Sequence, residues 1–203
     1  MILKRGFDIF AGIAGLVLAS PVILATAVAM KYANGGNLFF RQERVGAGGK
    51  PFTIFKIKTM KDAFNKAGEP LPDEERLTKA GRFVRKTRLD ELPQLVNVIR
   101  GDMSLVGPRP IRNIYNIAAD PERMSVRPGL TGLAQINGNN KLSGEQVLDY
   151  DRHYIREIKS RPALSALFYD LSVIVRTPLS LIRHADSPVC RTPPSDLCKN
   201  KKI

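Results

Sequence analysis

Residues 9–30 read IFAGIAGLVLASPVILATAVAM, a run without a single charged side chain. As one straight helix it would extend roughly 33 Å, against a hydrocarbon core of about 30 Å, so it is long enough to cross a membrane. Three readings compete. Lys4 and Arg5 ahead of the run, with Ala25-Thr26-Ala27 near its end, resemble the basic region and cleavage site of a secretory signal. An ordinary transmembrane helix is the second reading. The third is a segment that enters one leaflet and returns.

Two features favour the third. Lys31, Arg41, Arg44 and Lys50 follow the run, and loops rich in Lys and Arg stay cytoplasmic, so both ends prefer the same side. Ser20-Pro21 lies at the centre, where proline removes a backbone donor and clashes with the preceding turn, so a bend is expected there. A bent helix with both ends cytoplasmic is a re-entrant hairpin. Arg5 and Asp8, three residues apart, have the spacing to pair on one helix face at the headgroup boundary.

The 203 residues suffice for one domain with a core. Lys and Arg outnumber Asp and Glu by 32 to 19, a net charge of +13, so the partner is expected to be anionic: nucleic acid, lipid surface or phosphorylated small molecule. The basic residues around the apolar run point to a membrane surface. No zinc finger, RNA-binding aromatic motif or helix-turn-helix signature accompanies the charge, so no nucleic-acid partner is expected. Both cysteines, Cys190 and Cys198, fall near the C-terminal end. They form no disulfide framework, in keeping with a body facing a reducing cytoplasm.

Downstream, LFFRQERVGAGGKPFTIFKIK (38–58) reads as a hairpin about a glycine-rich turn. Residues 62–75 read as an exposed loop, and 77–86 and 93–100 as helices. GDMSLVGPRP (101–110) is too rich in Gly and Pro for long regular structure and fixes a turn around Arg109. A short helix from Ile111, loop and short strand over 127–138, and an amphipathic helix over 143–158 follow. Pro162 starts the last helix, whose stripe of Leu164, Leu167, Phe168, Leu171, Ile174 and Val175 suits a core face better than an interfacial one. The proline-rich basic tail beyond His184 is assigned no structure. Residues 88–95, RLDELPQL, set Asp90 and Glu91 between the basic run Arg82, Arg85, Lys86, Arg88 and Pro93. Taken alone, the pair reads as helix capping.

The constellation as a whole resembles a known family. Arg5 to Asp8 before a Ser-Pro-broken apolar run, FFRQERVG (39–46), FTIFKIKTM (52–60), RLDELPQLVNVIRGDMSLVGPRP (88–110) and RPGLTGLAQING (127–138) occur in the order seen in the bacterial monotopic phosphoglycosyl transferases. The resemblance covers roughly residues 1–183. It implies transfer of sugar 1-phosphate from a UDP-sugar to polyprenyl (undecaprenyl) phosphate at the cytoplasmic face of the bacterial inner membrane. It further implies a covalent phosphosugar-aspartate intermediate and a need for Mg2+. The family's Asp-Glu dyad maps onto Asp90 and Glu91, as catalytic groups and as metal ligands. Lys58, Arg85 and Arg127 fall at basic positions of its motifs and are expected to line a phosphate site.

Elementary chemistry agrees. A carboxylate attacking phosphorus must be ionised, which neighbouring arginines favour. A diphosphate repels that carboxylate, so a hard cation held by one or two carboxylates and substrate oxygens must screen it. Asp90 suits the nucleophile and Glu91 the metal, both reaching one ion from an irregular helix start at Pro93. Arg109 offers a planar fork for a phosphate or a nucleobase edge. Gln94 either orients the pair or caps the helix. One departure from the pattern is Asn139, where close relatives can carry arginine after Asn-Gly.

The expected fold class is thus α/β, mostly helical with a small β-hairpin. Residues 1–34 form the re-entrant membrane helix, 35–183 a compact catalytic domain with interfacial amphipathic helices, and 184–203 a disordered tail. Two other functions share these features: a metal-dependent hydrolase of nucleotide sugars or lipid phosphates, and a membrane-tethered basic scaffold.

Overall fold

The structure is a computed structural model that describes residues 2–111, 120–138 and 141–183. The expected helix after Ile111, Asn139 and the tail beyond His184 lie outside the described residues. The chain is mostly helical, with two small sheets and one long N-terminal helix.

Helix α1 (Ile2–Asn34) carries Pro21 inside it. Proline 21 has no N–H for the carbonyl of Val17, and the Ser20 hydroxyl donates to that carbonyl instead, at 2.7 Å. Burial along α1 is bimodal: Asp8 and Gly12 in the first half, Thr26, Ala27 and Met30 in the second, with no residue between 12 and 26 buried. The rest of the protein therefore packs most closely against the two arms of α1 and leaves Ser20, Pro21 and Val22 between them exposed.

The hairpin forms as its composition predicts. Strands β1 (Phe39–Val45) and β2 (Pro51–Ile57) pair antiparallel from Phe39↔Ile57 to Val45↔Pro51. Ile57, with Val84 of helix α3 (Lys79–Lys86), receives Ala27 and Met30 from the second arm of α1. A short helix α2 (Asp73–Arg76) interrupts the loop before α3. The dyad segment is a 3-10 turn, Leu89–Gln94, running into helix α4 (Leu95–Arg100), whose Val98 packs with Ile54 and Met103.

Arg5 and Asp8 do not pair with each other. The Arg5 guanidinium donates to the carbonyls of Val98 and Ile99, at 2.6 and 2.8 Å, and Asp8 accepts from the N–H of Leu105 at 3.0 Å. The reason is general: the last carbonyls of α4 have no partner within their own helix, and a buried strand N–H needs an acceptor. Local helix pairing loses to these two backbone demands.

Strand β3 (Ser104–Val106) lies parallel to β4 (Gly129–Thr131), which joins the Gly-Pro-Arg-Pro turn to the 127–138 motif. A Cβ on Gly129 would sit 2.1 Å from the Gly107 nitrogen, so only glycine allows that approach. Helix α5 (Pro121–Met124) precedes β4, and α6 (Leu133–Asn137), which the sequence reading lacked, follows it. Helices α7 (Gly144–Ser160) and α8 (Ala163–Arg183) close the main core around Val106, Ile136, Tyr154, Ile155 and Val173.

Helix α8 departs from its expected orientation. Its inward face is small or polar, with Ala166, Asp170, Val173 and Ser180 buried, while Leu164, Phe168, Leu171, Val175 and Leu179 are exposed. Of the stripe read as core, Leu164, Phe168, Leu171 and Val175 face outward, while Ile174 packs against the main core and Leu167 is half-buried. Asp170 is drawn inward by Lys4 and Tyr154. By length and composition alone, Ile2–Asn34 and Ala163–Leu181 are apolar enough to cross a membrane.

Candidate active site

The 3-10 turn that carries the dyad begins at Arg88, the one described non-glycine residue with positive φ, at 56°. A left-handed arginine costs of order 1–3 kcal/mol. It turns the chain sharply, and the Arg88 guanidinium then reaches Glu91 Oε2 at 3.0 Å. Both acids stand in the first turn of the 3-10 segment, as the dipole argument expects, but no side-chain cap bond closes the start of that turn or of α4. Gln94, at the N-cap of α4, makes no cap bond either.

Glu91 lies at the meeting point of three cations. Lys56 from β2 donates to Oε1 at 2.6 Å, Arg109 from the Gly-Pro-Arg-Pro turn donates to the same oxygen at 3.0 Å, and Arg88 holds Oε2. Arg109 is itself braced, since Arg123 donates to its carbonyl at 2.7 Å and pairs with buried Asp151 at 2.8 Å. The second turn and the hairpin are thereby brought to the dyad.

The two carboxyls sit side by side in opposite electrostatic states. Burial would push Glu91 up, but Arg109, Lys56 and Arg88 hold it well below the usual range. Burial raises Asp90, the Glu91 charge adds to this, and against the pull of Lys56, Arg85 and Arg88 it stands at about 6. Two adjacent acids pushed apart in this way take distinct roles. Glu91 is permanently ionised and committed to cations. Asp90 is the more basic of the two and remains mostly ionised at neutral pH.

Beside Glu91 is a small pocket with room for about one water molecule, lined by Arg44, Lys56, Gln94, Arg109, Gly129 and their neighbours. Gln94 is only 3% exposed, and its amide nitrogen, Nε2, has no hydrogen-bond partner. A buried donor left unpaired costs free energy unless a ligand or water accepts from it. The cavity offers many donors and one carboxylate, the chemistry of an anion site.

Of the residues expected here, Asp90, Glu91, Gln94 and Arg109 come together, and Arg85 lies within electrostatic reach of Asp90 while donating to Thr59 at 2.7 Å. Lys58 instead pairs with Asp62, and Arg127 donates to the carbonyl of Gly101 at 2.8 Å, capping the α4 end. Lys56 and Arg88 were missed as site residues. Strand alternation carried the signal for Lys56: the side chains of Ile54, Lys56 and Lys58 share one face, opposite Phe55 and Ile57.

Among the described residues, no group of three or more His, Cys, Asp or Glu side chains gathers to hold a metal. A divalent cation would fit here as magnesium commonly fits, on one carboxylate with substrate oxygens completing the shell. Asp90 suits that arrangement. Glu91 suits it less in this geometry, because three cationic N–H groups already surround its carboxylate and would repel a metal there.

Comparison with known proteins agrees with the motifs. A family model described as bacterial sugar transferase matches residues 1–184. The chain is 48% identical over 158 residues to an uncharacterized sugar transferase of Bacillus subtilis, covering 76% of this chain and 78% of that protein. It is 39% identical over 187 residues to the UDP-glucose:undecaprenyl-phosphate glucose-1-phosphate transferase of Caulobacter vibrioides, covering 88% of this chain and 69% of the relative. To the protein of that same name in Escherichia coli it is 37% identical over 189 residues, covering 87% of this chain but 39% of the longer relative. The chain belongs to the bacterial sugar transferase family.

Proposed function

We propose that the protein transfers sugar 1-phosphate from a UDP-sugar to polyprenyl phosphate at the cytoplasmic face of the inner membrane. The relatives named for that reaction support it. The observation that carries it to these residues is the Asp90–Glu91 pair, one acid raised and the other tied to Lys56, Arg88 and Arg109.

In the reaction, an Asp90 carboxylate oxygen attacks the phosphorus that bears the sugar. The bond from that phosphorus to the bridging oxygen breaks, and UMP departs with the electron pair. The phosphosugar remains on Asp90 as an acyl phosphate. A polyprenyl phosphate oxygen then attacks the same phosphorus, and the carboxylate is regenerated. Lys56, Arg88 and Arg109 bind and orient the diphosphate. Magnesium, held on the protein side by Asp90, would supply charge screening between that carboxylate and the diphosphate.

Residues 1–34 serve as a re-entrant anchor, 35–183 as the catalytic domain and 184–203 as a tail. The exposed Ser20-Pro21-Val22 stretch between two packed arms supports the anchor reading, as does the Ser20 bond to Val17, which satisfies the carbonyl that Pro21 leaves without its usual donor. The outward apolar face of α8 suits an interfacial helix.

The test is nucleotide release from UDP-sugars by purified protein with magnesium and no lipid acceptor. A burst of about one UMP per enzyme, absent in Asp90→Asn, is expected. Steady turnover to water would make the protein a hydrolase, and full transfer by Asp90→Asn would remove Asp90 from the chemistry.

A further inference from the structure

We infer that Glu91 is a positioning residue for three cations and not a metal ligand: it gathers Lys56, Arg88 and Arg109 into a cradle for a diphosphate. The inference rests on the transferase reading and departs from the expectation that both acids of the dyad hold magnesium.

The argument begins with lone pairs. Glu91 Oε1 accepts from Lys56 at 2.6 Å and from Arg109 at 3.0 Å, and Oε2 accepts from Arg88 at 3.0 Å. Magnesium requires near-octahedral oxygen ligands at about 2.0–2.1 Å and sheds its water reluctantly. Three of the four acceptor sites of the carboxylate are thus taken, and a cation at the one left on Oε2 would sit against three positive groups. Coulomb repulsion opposes that step.

The three cations come from separate elements. Lys56 is on β2, Arg88 opens the 3-10 turn and Arg109 follows β3. Three like charges do not converge in a buried place without an anion between them. Glu91 is that anion, its side chain 11% exposed. Each cation gives one N–H to Glu91 in these bonds and has others to offer, two more on the ammonium and four more on each guanidinium. The Gln94 amide, buried and unpartnered in the same cavity, adds a neutral donor. What remains after Glu91 is satisfied is a set of surplus donors, those of Lys56, Arg109 and Gln94 lining one small pocket. A diphosphate, rich in acceptor oxygens, matches that surplus; a metal cation does not.

The discriminating experiment measures two ligands separately on detergent-purified full-length protein. Manganese binding in the presence of UDP is followed by electron paramagnetic resonance, and pyrophosphate binding without metal by calorimetry. In Glu91→Gln, manganese affinity is expected to stay within about threefold of wild type. Pyrophosphate should bind more than fivefold more weakly, because nothing then gathers the three cations against their mutual repulsion; binding as tight as wild type would overturn the positioning role. In Asp90→Asn, manganese affinity is expected to fall more than tenfold. Should Glu91→Gln weaken manganese as much as Asp90→Asn does, Glu91 is a ligand and the inference is overturned.

If Glu91→Gln does not fold, Lys56→Met carries the test alone. It should weaken pyrophosphate more than tenfold and leave manganese unchanged. A gain in manganese affinity on removing Lys56 would mean that Glu91 turns to the metal once released, and would overturn the inference. A wild type that binds neither UDP nor pyrophosphate would overturn the transferase reading itself, and this inference with it.

Discussion

The Ser20 hydroxyl donates to the Val17 carbonyl at 2.7 Å, and Val17 is the residue whose usual partner, four positions on, is Pro21. Serine thus fills the hydrogen bond that its own neighbour deletes. In lipid, where no water replaces it, an unsatisfied carbonyl costs several kcal/mol. The Ser-Pro pair therefore leaves no orphan carbonyl where α1 runs through Pro21. If α1 is re-entrant in the membrane, then with single cysteines at Leu3 and Tyr32, both exposed, an impermeant reagent should label both from the cytoplasmic side only. Pro21→Ala should favour a straight span and move one end to the opposite side in part of the population. Labelling of the two wild-type ends from opposite sides would remove the re-entrant reading.

Acid should silence the enzyme through Asp90. In the free protein Asp90 stands at about 6, raised by burial and by the Glu91 charge. Only the ionised form attacks phosphorus, so kcat/KM, which reports the free enzyme, should fall as pH drops through about 6, approaching tenfold per unit below it. Glu91, held well below its usual range, stays ionised throughout and adds no second limb near neutrality. Glu91→Gln removes one of the two causes that raise Asp90, so the midpoint should move to lower pH. A profile flat from pH 7 to pH 5 would exclude Asp90 as the titrating nucleophile.

Much of this was legible in the sequence because short-range chemistry controls it. The hairpin formed where β-branched and aromatic residues flank Gly-rich 46–49. Helix α7 begins at Ser143 with a capping box to Gln146, as the pattern Ser-x-x-Gln predicts. The dyad was found by motif, and its irregular turn by Pro93. Arg109 reached the dyad from another element as the motif implied, but other long-range pairings were not legible. Arg5 and Asp8 chose backbone partners about a hundred residues away over each other. Lys56 and Arg88 joined Glu91 across separate elements, and Lys58, two residues from Lys56, took Asp62 instead. The α8 stripe misled because apolarity alone does not say whether protein or lipid covers it.

Backbone contact between the Gly-Pro-Arg-Pro turn and the 127–138 motif predicts an intolerant glycine. A Cβ at position 129 would meet the Gly107 nitrogen at 2.1 Å and the Thr131 oxygen at 2.4 Å. Both are backbone atoms that no rotamer change can move. Gly129→Ala should cost at least the 1–3 kcal/mol typical of an overpacked core, and it should displace Arg109 from Glu91, since the Gly129 N–H bonds the Pro108 carbonyl at 2.8 Å. Thermal unfolding and the KM for the UDP-sugar should both worsen. A variant with unchanged KM would show that the turn is positioned by something other than this strand contact.

The junction beneath that turn should be the most sensitive site remote from the chemistry. Lys4 of α1 donates to Asp170 of α8 at 2.5 Å and to the Val106 carbonyl at 3.2 Å. Tyr154 of α7 bonds the same carbonyl at 2.9 Å and the other Asp170 oxygen at 2.8 Å. Four elements meet here, three residues from Arg109, with Asp170 and Tyr154 each 1% exposed. Removing Lys4 leaves a buried carboxylate without its counter-charge, and breaking such a pair costs about 3–5 kcal/mol. Tyr154→Phe deletes one neutral donor and should cost about 1–3 kcal/mol. Lys4→Met should therefore lower the unfolding temperature more than Tyr154→Phe, and Lys4→Met with Asp170→Asn should recover part of the loss, because no uncompensated charge remains buried. Equal destabilisation by Lys4→Met and by the double variant would mean that Lys4 acts through Val106 alone and that its bond to Asp170 adds nothing.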